Sequence, residues 1–311
     1  MKYAVISDIH GNLPALEAVL ADAKENGANS YIFVGDYCLS NPYPDECISR
    51  IRKLENKYII QGNEEKYLEN LIGKDQSTWT DGQMQISYWC YRNISSENRD
   101  FILSCPTYVD FACNDVDLHV AHSSETYIGD CEHRDWSTAK VAKRYGSRVI
   151  NKQIFDDDIH RYFNEDKQFQ KQLEALPEGI FIFGHSHIQW SYVSEDGKKI
   201  LVNPGSCGLP LDCVKGIPYT LIEISTTGKV TVEEKRIPFD MESHINVLMQ
   251  SDQYQQANIW SRIIVEELRT GREHLNFFLQ FIWKYAAEIG DERRPFALDT
   301  WEKAFELWSQ Q

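Results

Sequence analysis

Phe181-Ile182-Phe183-Gly184-His185-Ser186-His187 is an apolar, strand-like run that stops at a glycine and then presents two histidines one residue apart. Side chains at i and i+2 of an extended segment point the same way, so both imidazoles can face one point. Such a pair is either a metal site or an accident of spacing, and two histidines alone do not decide which. The rest of the chain bears on the choice, because the arrangement recurs: one apolar run after another hands over to polar, ligand-type residues.

Residues 2–7 form a short apolar run that ends in Asp8-Ile9-His10-Gly11-Asn12. A helix follows, with Asn12 as its cap, Pro14 in the first turn, Leu13, Leu16 and Leu20 on one face and Gly27 just past the end. The second apolar run, 31–34, ends in Gly35-Asp36. The next helix opens at Pro44, turns Cys47, Ile48, Ile51 and Leu54 inward, and leads to a strand at 57–60 that ends in Gln61-Gly62-Asn63-Glu64-Glu65. This is β-α-β-α-β, with each strand delivering a polar motif at its carboxyl end, where ligands of open α/β sheets bind.

Residues 65–105 read as helical, with Ser95 or Ser96 as a cap and Pro106 closing the stretch. Residues 107–112 and 116–121 flank Asn114-Asp115, a hairpin signal, and the second strand delivers His122-Ser123-Ser124. A polar, largely helical insertion spans about 125–176. After His187, residues 189–194 and 199–202 form a hairpin around Asp196-Gly197 and lead into Asn203-Pro204-Gly205-Ser206. A last pair, 219–224 and 229–236, turns at Thr227-Gly228. Parallel units first and hairpins later predict an α/β fold over residues 1–238: a four-layer α/β/β/α sandwich of two mixed β-sheets flanked by helices.

Residues 239–311 read as a C-terminal helical extension with apolar stripes. These are Trp260, Ile263, Ile264 and Leu268, then Phe277, Phe278, Phe281, Ile282 and Tyr285, then Trp301, Phe305 and Trp308. Such stripes more often pack on a host domain than form a partner surface; a cover over the site and a homo-oligomer contact stay open.

Composition narrows the function. A chain of 311 residues with 42% hydrophobic and 12% aromatic content can bury a large core. The net charge of −15 is spread along it and argues against nucleic acid, whose binding depends on neutralising phosphates. A site for phosphates would then draw its positive charge from elsewhere, and metal ions supply it. Eight cysteines without a CxxC pair, and an N-terminus that reads as a strand rather than a signal peptide, suggest reduced thiols in a cytoplasmic protein. No apolar run reaches the roughly 20 residues of a membrane span; that at 275–287 is interrupted by Gln280 and Lys284.

The strand-end residues are Asp8, His10, Asp36, Asn63, His122, His185 and His187. Three oxygen ligands and four imidazoles suit two first-row transition ions and lack the all-oxygen character of a calcium or magnesium site. Asp8-x-His10, Gly35-Asp36, Gly62-Asn63, His122 and Gly184-His185-x-His187, in that order and each after a strand, resemble the calcineurin-like metallophosphoesterases. The Asn203-Pro204-Gly205-Ser206 turn, the Pro42 loop and the Asn12-Leu13-Pro14-Ala15-Leu16-Glu17 run resemble the compact bacterial phosphodiesterase-like branch. The resemblance covers residues 1 to about 236.

It implies that Asp8, His10, Asp36 and His187 hold one metal, and Asp36, Asn63, His122 and His185 the other. The cofactor is then two divalent ions, manganese first, with iron, zinc, nickel and cobalt as alternatives. The implied reaction is hydrolysis of phosphodiesters, phosphomonoesters or nucleotide anhydrides by a hydroxide bridging the ions, with a small, nucleotide-like phosphorylated substrate. Asp36, His10, Asn63 and Glu64 are the implied catalytic group. Many members carry a histidine after the Asn63 position to protonate the leaving group; here it is Glu64. A carboxyl serves as that acid only if its pKa rises through burial or a like charge, and otherwise Glu64 is a surface or supporting residue. Leaving groups that need little protonation are then favoured.

Lys140, Lys143 and Arg144 share one helix face in the insertion, with Arg148 beyond. They read either as a solvated face or as a clamp for the distal phosphates of a polyphosphorylated nucleotide. His119 reads as a strand residue, and His133, His160, His244 and His274 lack ligand-type neighbours at useful spacing. Ser7 and Ser206 read as hydrogen-bonding supports, with no Ser-His-Asp logic around them. The competing reading is a catalytically weak scaffold of the same fold that binds proteins through its aromatic C-terminal helices.

Overall fold

In β1 (Lys2–Ile6), Tyr3 and Val5 point into one buried cluster and Ala4 and Ile6 into another. The computed structural model describes residues 1–129, 134–148 and 150–310, so His133 lies outside the described residues. The same period-2 split occurs in β2 (Ser30–Phe33), β6 (Gly179–Ile182), β8 (Lys199–Pro204) and β9 (Ile217–Ile224). A strand apolar on both faces has to be covered on both, and that requirement produces four layers.

The first sheet has the order β10 (Val230–Ile237), β9, β1, β2, β3 (Lys57–Ile59). Its β1, β2 and β3 are parallel, and β9 runs antiparallel to β1. The second has the order β4 (Tyr108–Cys113), β5 (Val116–Ala121), β6, β8, β7 (Gln189–Val193), with β5, β6 and β8 parallel. Val5, Ile32, Val34, Val120, Ile182 and Val202 fill the space between the sheets. Helices α1 (Leu13–Glu25), α2 (Pro44–Arg52), α3 (Asn63–Glu69), α4 (Gln85–Asn93) and α5 (Ser96–Ser104) cover the outer face of the first. The insertion covers the second with α6 (Glu125–Ile128), α7 (Thr138–Tyr145), α8 (Lys152–Glu165) and α9 (Lys167–Ala175). Capping follows the sequence signals: Asn12 Oδ1 accepts the Ala15 N–H and Ser95 Oγ that of Asn98.

The stretch expected to be helical over 65–105 is broken. Between α3 and α4 only Gln76–Thr78 winds, as a single 3-10 turn. The chain there meets the C-terminal helices instead: Gln83 N–H donates to the Phe296 carbonyl at 3.2 Å, and a Cβ at Gly82 would fall 2.6 Å from Cβ of Trp301. Tertiary pairing outweighs local helix preference in this segment.

After β10 come α10 (Met241–Gln250), α11 (Asp252–Gln256), α12 (Asn258–Thr270), α13 (Leu275–Ile289) and α14 (Leu298–Trp308). Phe278, Ile282, Trp301 and Phe305 form a cluster of their own, while Ile245, Leu248, Ile264 and Leu268 pack on Leu209 and Leu211. Among the described residues, no helix is long and apolar enough to cross a membrane, and the seven cysteines there are free.

Candidate metal centre

Parallel β1, β2 and β3 end together, and so do β5 and β6, which places their terminal loops along one rim. There Asp8, His10 and His187 present ligand atoms within 4.8 Å of one another, as do Asp36, His122 and His185. A third group joins His10, Asp36 and Glu64, linking the other two through Asp36 and His10. Asn63 meets the second group, with its Oδ1 3.1 Å from His122 Nε2. All seven candidate ligands thus lie together along this rim.

The loops that carry them are held in an uncommon backbone conformation. Asp8, His10, Asp36, His185 and His187 all have positive φ, between 50° and 68°. Each such residue costs on the order of 1–3 kcal/mol, so the surrounding contacts must impose it. Asp8 N–H donates to the Gly35 carbonyl at 3.1 Å, His10 N–H to the Asp36 carbonyl at 3.0 Å, and Gly208 N–H to the Asp8 carbonyl at 2.9 Å. Close approach is possible because glycines stand at the crossings. A Cβ at Gly62 would lie 2.1 Å from Asp36 Oδ1, and one at Gly208 only 1.9 Å from the Ile9 carbonyl oxygen.

Ring orientation shows what the centre can accept. His122 Nδ1–H donates to the Val34 carbonyl at 2.6 Å and His187 Nδ1–H to that of Leu209 at 2.8 Å. Both therefore aim an Nε2 into the site, with the tautomer set from behind as in metal-binding histidines. His10 Nδ1 faces Glu64 Oε2 at 3.0 Å, and its Nε2 lies 3.0 Å from His187 Nε2. In the tautomer where both Nδ1 atoms donate outward, two lone pairs face each other across this gap, the arrangement a cation would take up. Roughly 3 Å is the span of two nitrogens about 2.1 Å from one ion at a right angle. The donor set fits a transition ion.

Electrostatics point the same way. Burial raises the Asp8 carboxyl, with Asp36 adding to it against His122 and His10. Burial would raise Asp36 too, but His122 and His10 hold it below the usual carboxylate range. Burial works against a charged His122, yet Asp36 and Asp8 push it up to about 10. A proton on Nε2 then serves Asp36 Oδ2 and Asn63 Oδ1, each 3.1 Å away, as a divalent ion would. Burial and His10 bring His187 down to about 3, leaving a neutral imidazole. Burial, Asp36, Glu65 and Asp8 raise Glu64 well above its ordinary value.

Sequence reading missed Glu65. Fully buried, its carboxylate accepts N–H bonds from Gly62 at 2.7 Å, Asp36 at 3.1 Å and Tyr37 at 3.0 Å, binding the Asp36 loop to the Asn63 loop. The signal was present: a glutamate three residues after a helix cap reaches back to the cap N–H. Ser206 Oγ donates to the Asp8 carbonyl at 2.7 Å, and Ser7 Oγ to that of Val34 at 3.4 Å. His119 is a β5 residue stacked on Phe181, and His160 donates to the Ser191 carbonyl. The basic cluster stands on the exposed face of α7, whose other face is buried, with Arg144 4.4 Å over Trp136, Lys143 5.3 Å over Phe277 and Lys140 3.7 Å from Asp135.

Two mixed sheets with a histidine–carboxylate centre at their rim define a metallophosphoesterase architecture. Residues 1–227 match the calcineurin-like phosphoesterase superfamily domain, and the chain belongs to that superfamily. An uncharacterised protein of Methanocaldococcus jannaschii is 27% identical over 254 residues, which cover 77% of this chain and 88% of that one. The crystal structure of a metallophosphoesterase from Sphaerobacter thermophilus superposes with a TM-score of 0.59 at 19% identity, covering 87% of this chain and 99% of that one. A hypothetical protein of Pyrococcus horikoshii superposes with a TM-score of 0.53 at 16% identity, covering 85% and 97%.

Proposed function

We propose that this chain is a phosphoric ester hydrolase working with two divalent transition ions, manganese first among them, on small, nucleotide-like phosphodiesters, monoesters or anhydrides. The observation that carries the reading is Asp36, which stands with His122 and His185 on one side and His10 on the other. When bound, two such ions lower the pKa of a water between them, polarise the phosphoryl oxygens and offset the charge that builds during in-line attack. Asp8, His10, Asp36 and His187 hold one ion; Asp36, Asn63, His122 and His185 hold the other. Asn63 contributes a neutral amide oxygen, which leaves the centre positive enough to accept a phosphate. Asn63, His185 and His187 are partly open to solvent while Asp8 and Asp36 are buried, so substrate approaches from the histidine side. Metal content of the purified protein, followed by a screen of the manganese-loaded form on aryl monoester, aryl diester, cyclic nucleotides and dinucleoside polyphosphates, tests the reading. A protein that retains no metal and hydrolyses none of them is the scaffold instead.

Glu64 acts through His10, whose ring it faces. Glu64→Gln keeps an acceptor for the ring N–H and is expected to retain metal nearly as wild type does, while Glu64→Ala weakens retention about 10–100-fold. Because Glu64 Oε2 is turned to His10 Nδ1 at 3.0 Å, Glu64→His is expected to improve alkyl monoesters relative to aryl diesters; an unchanged ratio would remove that argument.

The α7 cluster is proposed to meet distal phosphates. Replacing Lys143 and Arg144 by Ala is expected to raise KM several-fold for a dinucleoside polyphosphate, on the scale of losing one or two charge-assisted hydrogen bonds. KM for a small aryl ester should stay put, and a parallel rise in both would assign the pair to packing on Trp136 and Phe277.

A further inference from the structure

The superfamily match ends at residue 227, yet helices α10 to α12 hold two loops of the metal centre. The first loop follows Asp36. Leu39 and Ser40 have φ of 56° and 62°, and the Asn41 N–H donates to the His10 carbonyl at 2.9 Å. His244 Nε2–H reaches Asn41 Oδ1 at 2.8 Å, and Gln253 Nε2–H reaches the Ser40 carbonyl at 2.8 Å, from more than 200 residues along the chain. The second loop supplies the Leu209 carbonyl that accepts His187 Nδ1–H. Leu209 and Leu211 are buried against Ile245, Leu248, Ile264 and Leu268, and Cys213 N–H donates to the Gly271 carbonyl at 2.9 Å.

Packing alone does not explain the two polar side chains. His244 and Gln253 are buried, and among the described residues His244 Nδ1 and Gln253 Oε1 meet no hydrogen-bond partner. A buried polar atom without a partner is costly, and an apolar side chain at the same helical position avoids that cost. Burial brings His244 down to about 4, so its imidazole is neutral and its single N–H is the one spent on Asn41. Both residues give up one satisfied atom to place the other on the loop behind His10.

We propose that helices α10 to α12 brace the metal position formed by Asp8, His10 and His187, with His244 and Gln253 as positioning residues that fix the loop behind His10 while the Leu209–Leu211 contacts fix the loop behind His187. The inference rests on the metal-dependent reading above and says what helices α10 to α12 do for that centre. It makes them part of the hydrolase rather than an appended module.

The test is manganese titration of the full-length wild type and of His244→Leu and Gln253→Leu, singly and together, read by equilibrium dialysis and by the metal-induced rise in Tm. Amide exchange at Asn41 is measured in the metal-free proteins. The double variant is expected to lose at least about tenfold in manganese affinity, the scale for removing a supporting contact, and to exchange faster at Asn41. His244→Gln, which keeps an N–H donor, should recover most of the affinity. Phe278→Leu, in the outer cluster with Trp301 and Phe305, should lower Tm and leave affinity unchanged. Wild-type affinity in the double variant, or an equal loss in Phe278→Leu at matched Tm, overturns the brace. A wild type that binds no manganese overturns the metal-dependent reading and the brace with it.

Discussion

Asp36→Asn is expected to abolish hydrolysis and to weaken manganese binding by more than the roughly 100-fold that loss of a supporting partner costs, while leaving the metal-free fold intact. The change is isosteric. The new amide oxygen can still accept the Glu64 N–H now held by Asp36 Oδ1 at 2.9 Å, so helix α3 keeps its start. The new NH2 group, however, turns toward His122 Nε2, now 3.1 Å from Asp36 Oδ2, and places two donors where two acceptors stood. In the absence of metal the Asp36 charge is the partner that raises His122 and is itself held low by His122 and His10, so removing it costs the metal-free protein that pair while easing the repulsion on Glu64. The expected signature is a metal-free Tm modestly below wild type, because the buried His122 loses its charged partner, combined with loss of the metal-induced rise that binding to the native state produces. A variant that still hydrolyses an aryl phosphodiester at a wild-type rate would remove Asp36 from the centre.

Gly184→Ala is expected to have the second-largest effect. A Cβ there would fall 2.0 Å from Ser7 Oγ and 2.8 Å from Asp8 Oδ2, closer than any real contact. Asp8 also accepts the His185 N–H, at 3.1 Å to Oδ2, so relief of the clash separates Asp8 from the loop that carries both histidines. Metal affinity should fall about 100-fold, and stability by roughly 1–3 kcal/mol as for other overpacked sites. Gly197→Ala is the control. Its φ of +71° is strained for alanine, but nothing lies within 4 Å of its Cβ position, so it should lose stability alone. Equal metal affinity in the two variants would show that the closeness of β1 and β6 does not shape the centre.

Much of the fold was legible because it rests on local energies. Near-continuous apolar runs in β1, β2 and β6 announce strands buried on both faces, the Asn114-Asp115 and Asp196-Gly197 pairs announce hairpins, and Asn12 and Ser95 cap helices where their side chains reach a free N–H. The site was legible as a set of residue types at strand ends. Its wiring was not. Glu64 carried no sign that it faces His10 across 54 residues, and His244 looked like a histidine without neighbours although it grips Asn41 from 203 residues away. The helix expected through 65–105 failed for the same reason, since Gly82 and Gln83 answer to Trp301 and Phe296.

The order of strands, the face each side chain takes and the kinds of donor at each strand end were written in residue periodicity and turn chemistry, which act over a few positions. Which carbonyl sets each imidazole, the pairing of Glu64 with His10, and the grip of α10 and α11 on the loop after Asp36 came only with packing. Those contacts join atoms that are neighbours in space after two sheets and a distant helix pair have closed on one another, and no short-range preference encodes them.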